Sequence, residues 1–166
     1  SAEPGQAWVV DLAEAGQKAV GKLGSALGGH SLILHSSKLQ IKAWESMGLS
    51  VTDIAGDTAL AAYLLVPDAR AYELGQISAD RAGIDLSEPE SDSGQLALDL
   101  DSDAAVTTHG QRAAALLEVH EVLAKAVDDA NMTQVYREIE LPLVPVLARM
   151  EATGIAVDEA GLSNLI

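Results

Sequence analysis

Ser31-Leu32-Ile33-Leu34-His35 is an apolar run of strand length, too short for a buried helix, and the residues after it change period. Lys38 to Met47 reads as a helix stopped by Gly48, and Leu49 to Ile54 as a further strand. Asp57 then precedes Thr58-Ala59-Leu60-Ala61-Ala62-Tyr63-Leu64-Leu65, where its carboxylate can accept from the open amides of a new helix. Pro67 closes that helix. Strands alternating with helices predict an α/β layer with parallel strands.

Upstream of this block, Trp8 to Leu12 reads as a strand and Ala13 to Leu27 as an Ala-rich helix ended by Gly28-Gly29. Downstream, Tyr72 to Ala82 reads as a helix. The composition then shifts. Asp85, Glu88, Glu90, Asp92, Asp99, Asp101 and Asp103 are interleaved with Ser, Pro and Gly, which predicts a mobile acidic loop over about 85–104. Ala104 to Ala130 is Ala/Leu-rich and helical. Asn131 or Thr133 is expected to cap the next helix, which runs to about Glu151. Pro142 and Pro145 fall within it, so a kink or restart is expected there. Gly154 to Asp158 reads as a short extended segment before a further helix.

Charge bounds the function. The chain of 166 residues carries 25 acidic and 10 basic residues, for a net charge of −15, so on average it repels a phosphate backbone. Any contact with DNA must be local or supplied by a neighbouring domain. With no Phe and 3% aromatics, the core must be built from aliphatic side chains. There is no Cys, which excludes disulfides and thiolate metal sites and fits a reducing cytoplasm. No apolar stretch is long enough to cross a bilayer, so no membrane partner is expected.

One run carries a family resemblance. Tyr136-Arg137-Glu138-Ile139-Glu140-Leu141-Pro142-Leu143-Val144-Pro145-Val146-Leu147-Ala148-Arg149-Met150-Glu151-Ala152-Thr153-Gly154-Ile155-Ala156-Val157-Asp158 resembles the junction between exonuclease domain and polymerase thumb in bacterial family-A DNA polymerases, the DNA polymerase I family. Asp57-Thr58-Ala59-Leu60-Ala61-Ala62-Tyr63-Leu64-Leu65-Val66-Pro67 resembles a helix-opening segment of that family's exonuclease-like domain. His35-Ser36-Ser37-Lys38 followed by Gly48 matches its second exonuclease motif in spacing. The resemblance covers roughly residues 8–166. The acidic loop and Ala-rich character look more like the high-GC Gram-positive branch.

The resemblance implies a ribonuclease-H-like 3′–5′ exonuclease fold lacking its first strands, with a C-terminal helical segment entering the polymerase thumb. Residues 1–134 would be the exonuclease-like domain, and 135–166 the junction helix and the start of the polymerase. It also implies a parent DNA-directed DNA polymerase of repair and replication, acting in the cytoplasm on DNA with magnesium. The proofreading chemistry of the family uses two divalent metals held by converging carboxylates. Here no Asp-x-Glu occurs. Ser36 stands where the family has Asn and Gln40 where it has a ligand Asp. The third motif aligns Thr108 with the family's Tyr and Arg112 with its Asp. The expectation is no metal site and no catalytic residue in this chain, and a structural spacer role. Two alternatives stay open: an active metal-dependent exonuclease whose ligands lie elsewhere, and a non-enzymatic interaction module.

Three further patterns fall short of a functional site. Gly16-Gln17-Lys18-Ala19-Val20-Gly21-Lys22-Leu23 approaches a phosphate-binding loop, but Leu23 replaces the Ser/Thr that holds magnesium. Asp99-Leu100-Asp101-Ser102-Asp103 opens like a calcium loop, but Ala104 and Gly110 replace its Gly and Glu. His30, His35, His109 and His120 read as surface or capping residues. The sharper signal is Gln95-Leu96-Ala97-Leu98-Asp99-Leu100, which resembles the short motif that binds bacterial sliding clamps. Gln95 would hydrogen-bond, and Leu96, Leu98 and Leu100 would enter apolar pockets as an extended peptide. The bland reading is that these leucines fold back on the domain.

Overall fold

The computed structural model describes residues 6–51, 53–86 and 102–158. The elements follow from α1 (Leu12–Leu27), which Gly16 interrupts with φ 71°. Next come β1 (Leu32–Leu34), α2 (Ser37–Ser46), β2 (Ile54–Asp57) and α3 (Thr58–Leu65). A short helix α4 (Leu74–Ile77) continues in π geometry over Ser78–Ala82. The long α5 (Ser102–Asp129) leads to α6 (Thr133–Val135), a π stretch over Tyr136–Glu140, and α7 (Leu141–Thr153).

The alternation expected from Ser31 to Pro67 is present. The strands β1 and β2 pair in parallel, with Leu34 opposite Asp57, and α2 is the crossover between them. Among the described residues these two strands are the whole sheet, and the architecture is mostly helical. Trp8 to Leu12 is not a strand; Trp8 is 86% exposed, and among the described residues no neighbouring strand takes up the run. The strand expected from Leu49 starts only at Ile54. Gly48, at φ 79°, turns the chain, and Leu49 donates its amide to the Trp44 carbonyl and buries its side chain. The expected acidic loop lies almost wholly outside the described residues, and its last residues from Ser102 onward belong to α5. Gln95, Leu96, Leu98 and Leu100 lie outside the described residues.

The core is aliphatic, as the composition requires. Val119, Leu123 and Val127, spaced by one turn on α5, pack with Ala61 and Ala62 of α3, Ile77, Leu141 and the ring of Tyr136. A second cluster joins Ile41 of α2 to Val144 and Ala148 of α7. On the surface Lys38 and Lys42, one turn apart on α2, grip the two oxygens of Glu151 on α7 at 2.5 and 2.7 Å. These hydrogen bonds hold the Glu151 carboxyl at about 2, well below the usual range. The group is exposed, so the clamp orients the two helices more than it stabilises them.

The expected caps after α5 turn out differently. Asn131 is left-handed, at φ 56°, and ends α5, while Met132 donates to the Val127 carbonyl in the closing turn. Thr133 spends its hydroxyl on Asp128 at 2.8 Å instead of capping the next helix. The restart expected near the prolines takes the form of a register change. The π stretch ends at Glu140 and α geometry resumes at Leu141, one residue before Pro142. A proline there cannot donate to the preceding turn, and the change of register falls where that bond would be missing.

Candidate functional site

Strand β2 ends on Asp57, beside the end of β1. The side chain is only 4% exposed, yet it has a donor for each oxygen. Oδ1 accepts from the amides of Ala59 at 2.9 Å and Leu60 at 3.2 Å, which is the expected cap of α3. The same Oδ1 accepts from the Ser36 amide at 3.1 Å. Oδ2 accepts from the Ser37 amide at 2.7 Å and the Ser37 hydroxyl at 2.5 Å. One buried carboxylate thus closes the open amino ends of two helices, α2 and α3, where the backbone dipoles favour negative charge.

The backbone of Asp57 is held from the other side. Its amide donates to the Tyr136 hydroxyl at 2.7 Å, and that hydroxyl donates to the Asp57 carbonyl at 3.0 Å. Burial pushes the Tyr136 phenol up to about 12, so it stays a neutral donor. In the sequence Tyr136 stands out only as the first residue of the family-like run Tyr136 to Asp158. Its link to a residue 79 positions away is visible only once the helix is packed.

Two histidines read from sequence as surface or capping residues are instead partly buried against the sheet. His35 Nδ1 lies 2.8 Å from the Thr58 hydroxyl. His120, from α5, lays its ring over Gly56, where any Cβ would fall inside van der Waals contact of the ring. Burial lowers the pKa of both. For His35 the charges of Asp57 and Glu73 oppose that shift and Arg112 adds to it. For His120 Glu121 opposes it and Arg137 adds to it. Both rings therefore take up a proton less readily in the folded chain than in the unfolded chain, where they titrate near the ordinary 6.5. The unfolded state binds more protons as pH falls below that value, so stability must drop there. Urea midpoints should fall between pH 7.5 and 5.5, and the fall should shrink in a His35→Gln/His120→Gln variant. An unchanged pH slope in that variant would remove the two rings as its cause.

The positions matched to exonuclease motifs are partly brought together. Ser36 and Gln40 sit at the start of α2, and Arg112 of α5 is close enough to act on His35. Thr108 lies one turn earlier on α5. Ser36 is left-handed, φ 56° and ψ 51°, and its side chain makes no capping bond. Its amide serves Asp57. Asn tolerates this conformation better than Ser does, and a β-branched residue far worse. Ser36→Asn should therefore raise stability by about 0.5 kcal/mol and Ser36→Val lower it by more than about 1 kcal/mol in denaturant titrations. Equal midpoints for the two variants would mean the backbone relaxes.

Gln40 donates its amide nitrogen to the His35 carbonyl at 2.9 Å. The donor set around it does not fit two hard cations. Gln40 is neutral and engaged, Arg112 is cationic, and both oxygens of Asp57 are already taken by N–H and O–H donors. Among the described residues no group of three or more His, Asp or Glu side chains is arranged to hold a metal. Among them, too, no helix is long and apolar enough to cross a membrane.

No family model matches the chain. The DNA polymerase I of Mycobacterium tuberculosis is 34% identical over 135 residues, covering 80% of this chain and 15% of that protein. The Bacillus subtilis DNA polymerase I is 28% identical over 131 residues, covering 78% of this chain and 15% of that protein. Among solved structures, the POL domain of the Mycobacterium smegmatis enzyme, in complex with DNA primer-template and dNTP, is similar. It superposes with a TM-score of 0.78 at 28% identity, over 94% of this chain and 25% of that one. The chain thus spans about 15% of the length of the curated relatives it matches. Across that span, in sequence and in fold, it belongs to the DNA polymerase I family.

Proposed function

We propose that this chain is the exonuclease-like segment of an actinobacterial DNA polymerase I and that its work is structural, holding its neighbours in place without cutting DNA. Residues 1–134 form the exonuclease-like domain, of ribonuclease-H-like descent, and 135–166 lead into the polymerase. The observation that carries the reading is the fate of the carboxylate positions. Gln40 is tied to the His35 carbonyl, Arg112 brings a cation, and the buried acid at hand, Asp57, holds two helices together. Metal-assisted hydrolysis needs free, converging oxygen ligands, which this arrangement does not supply. The test is incubation of the chain with 3′-labelled single-stranded DNA and magnesium or manganese. No release above a protein-free blank is expected. Metal-dependent release that tracks the protein through purification would favour the alternative, an active proofreading exonuclease.

The complete protein would be a magnesium-dependent DNA-directed DNA polymerase of the cytoplasm, serving replication and repair. The solved relative is in complex with DNA primer-template and dNTP, which supports DNA as the partner of the whole. The net charge of −15 argues that this segment adds little to that binding. Primer extension by the full-length product is the corresponding test. A second role, recruitment of a sliding clamp through Gln95, Leu96, Leu98 and Leu100, is supported by three alternate leucines in an otherwise acidic stretch. Saturable clamp binding lost in Leu98→Ala/Leu100→Ala would support it. No binding at high clamp concentration would sink it.

A further inference from the structure

Strand β2 has a neighbour on one side only. β1 pairs with it, and among the described residues no strand lies on its other edge. At Asp57 that edge is closed, because the Tyr136 hydroxyl takes both the amide and the carbonyl. Earlier in the strand it is open. Leu32 stands opposite Ile54 and Ile33 opposite Gly56, which leaves a bulge at Ala55, of the kind that gathers at sheet edges and beside active sites. Ala55 is exposed, and beside it lies a groove of about 500 Å³. Asp53, Ile54 and Ala55 form one wall, and Arg137, Leu141 and Pro145 form the other. Asp53 and Arg137 are exposed and opposite in charge, yet among the described residues neither side chain has a hydrogen bond or an ion pair. Pro145 has no amide, so the Leu141 carbonyl lacks its donor one turn on.

We infer that this groove takes an extended peptide of a partner protein, laid along the edge of β2 as an added strand, with a basic side chain on Asp53 and an acidic one on Arg137. An open edge supplies main-chain bonds, which give such additions their affinity, while alternate side chains give them their specificity. The two charges set the chemistry of the guest. A ligand of one sign meets its own sign on the facing wall, which argues against DNA and against a purely basic or purely acidic tail. A second copy is a poorer occupant, because two chains of net charge −15 repel. Between the charges, Ile54, Leu141 and Pro145 offer apolar surface to the guest's other side chains, and the Leu141 carbonyl can accept one of its amides.

The probes are fluorescein-labelled peptides in which Lys and Glu are separated by one to three Val or Thr residues, in both orders. Their anisotropy is followed as the 166-residue chain is titrated in. One order should bind saturably and the other about tenfold more weakly or worse, because reversal sets like charges together. Asp53→Lys/Arg137→Glu exchanges the charges at two exposed positions. It should leave the circular dichroism unchanged and exchange the preference between the two orders. The preferred peptide, N-methylated on its Val and Thr amides, should lose binding, since it can no longer pair with the edge. A charge-exchanged chain that keeps the parent's preference, or an N-methylated peptide that binds equally well, would overturn the inference. So would the absence of saturable binding by every peptide up to about 1 mM. In the full-length product the preferred peptide should bind as well as it does in the short chain. Binding lost there would show the groove filled by the rest of the polypeptide and would overturn a partner in trans.

Discussion

Asp57→Ala should cost the chain about 4 kcal/mol, the largest loss expected from any single side chain here. The figure is built from parts. A helix cap is worth about 1 kcal/mol, and this carboxylate caps two helices. Its removal also strands the amides of Ser36 and Ser37 and the Ser37 hydroxyl in a buried site. Each buried group left without a partner costs about 1–3 kcal/mol, part of which water entering the vacated space would recover. Domains of this size are stable by only about 5–15 kcal/mol, so the variant should sit near its unfolding transition at room temperature. Asp57→Asn is the informative companion. Its one remaining oxygen can serve either α3 or α2, while its amide nitrogen meets donors on the other side. A loss of about 2 kcal/mol is expected, halfway to the alanine variant. Urea titration followed by circular dichroism measures both. If Asp57→Ala loses no more than an ordinary single cap, the second helix does not depend on this carboxylate.

This hub also marks the limit of what the sequence discloses. The pairing of Asp57 with α3 is local, a side chain reaching amides two and three residues ahead, and short-range chemistry of that kind can be read directly from the letters. Its pairing with Ser36 and Ser37 is set by the parallel register that puts Leu34 opposite Asp57, and register is a property of two segments together. The same distinction explains the errors. Trp8 to Leu12 has the composition of a strand but no partner among the described residues, and a strand is defined by its partner. His35 and His120 carry no periodic signal that separates a half-buried ring from a surface one. The motif comparison at Gln40 and Arg112 uses the letters alone, and the packed structure adds their surroundings: Gln40 ties off the His35 carbonyl, and Arg112 adds its charge to the burial that lowers the basicity of His35.

Gly56→Ala should destabilise the chain by about 2 kcal/mol, and the loss should depend on a residue 64 positions away. Nothing in Ala55-Gly56-Asp57 announces this. Gly56 is buried in β2, and the missing Cβ is the space into which α5 lowers the ring of His120. An added methyl group must displace that ring from its seat on the strand, which gives up the ring's packing against β2. In a His120→Ala background the three atoms nearest to the methyl group are gone, so Gly56→Ala should there be close to neutral. The double-mutant cycle should show a coupling of about 1 kcal/mol or more, a size reserved for residues in direct contact. The cycle also separates two explanations that a single variant confuses. If the cost arose from strand geometry, it would persist without the ring, because alanine and glycine would differ equally in both backgrounds. If it arises from contact, it vanishes with the ring, and the wild-type glycine is then explained as the floor of a histidine seat. The pH response follows from the same contact: displacing the ring into water in Gly56→Ala returns His120 to ordinary titration, so the variant should lose less stability than the parent between pH 7.5 and 5.5.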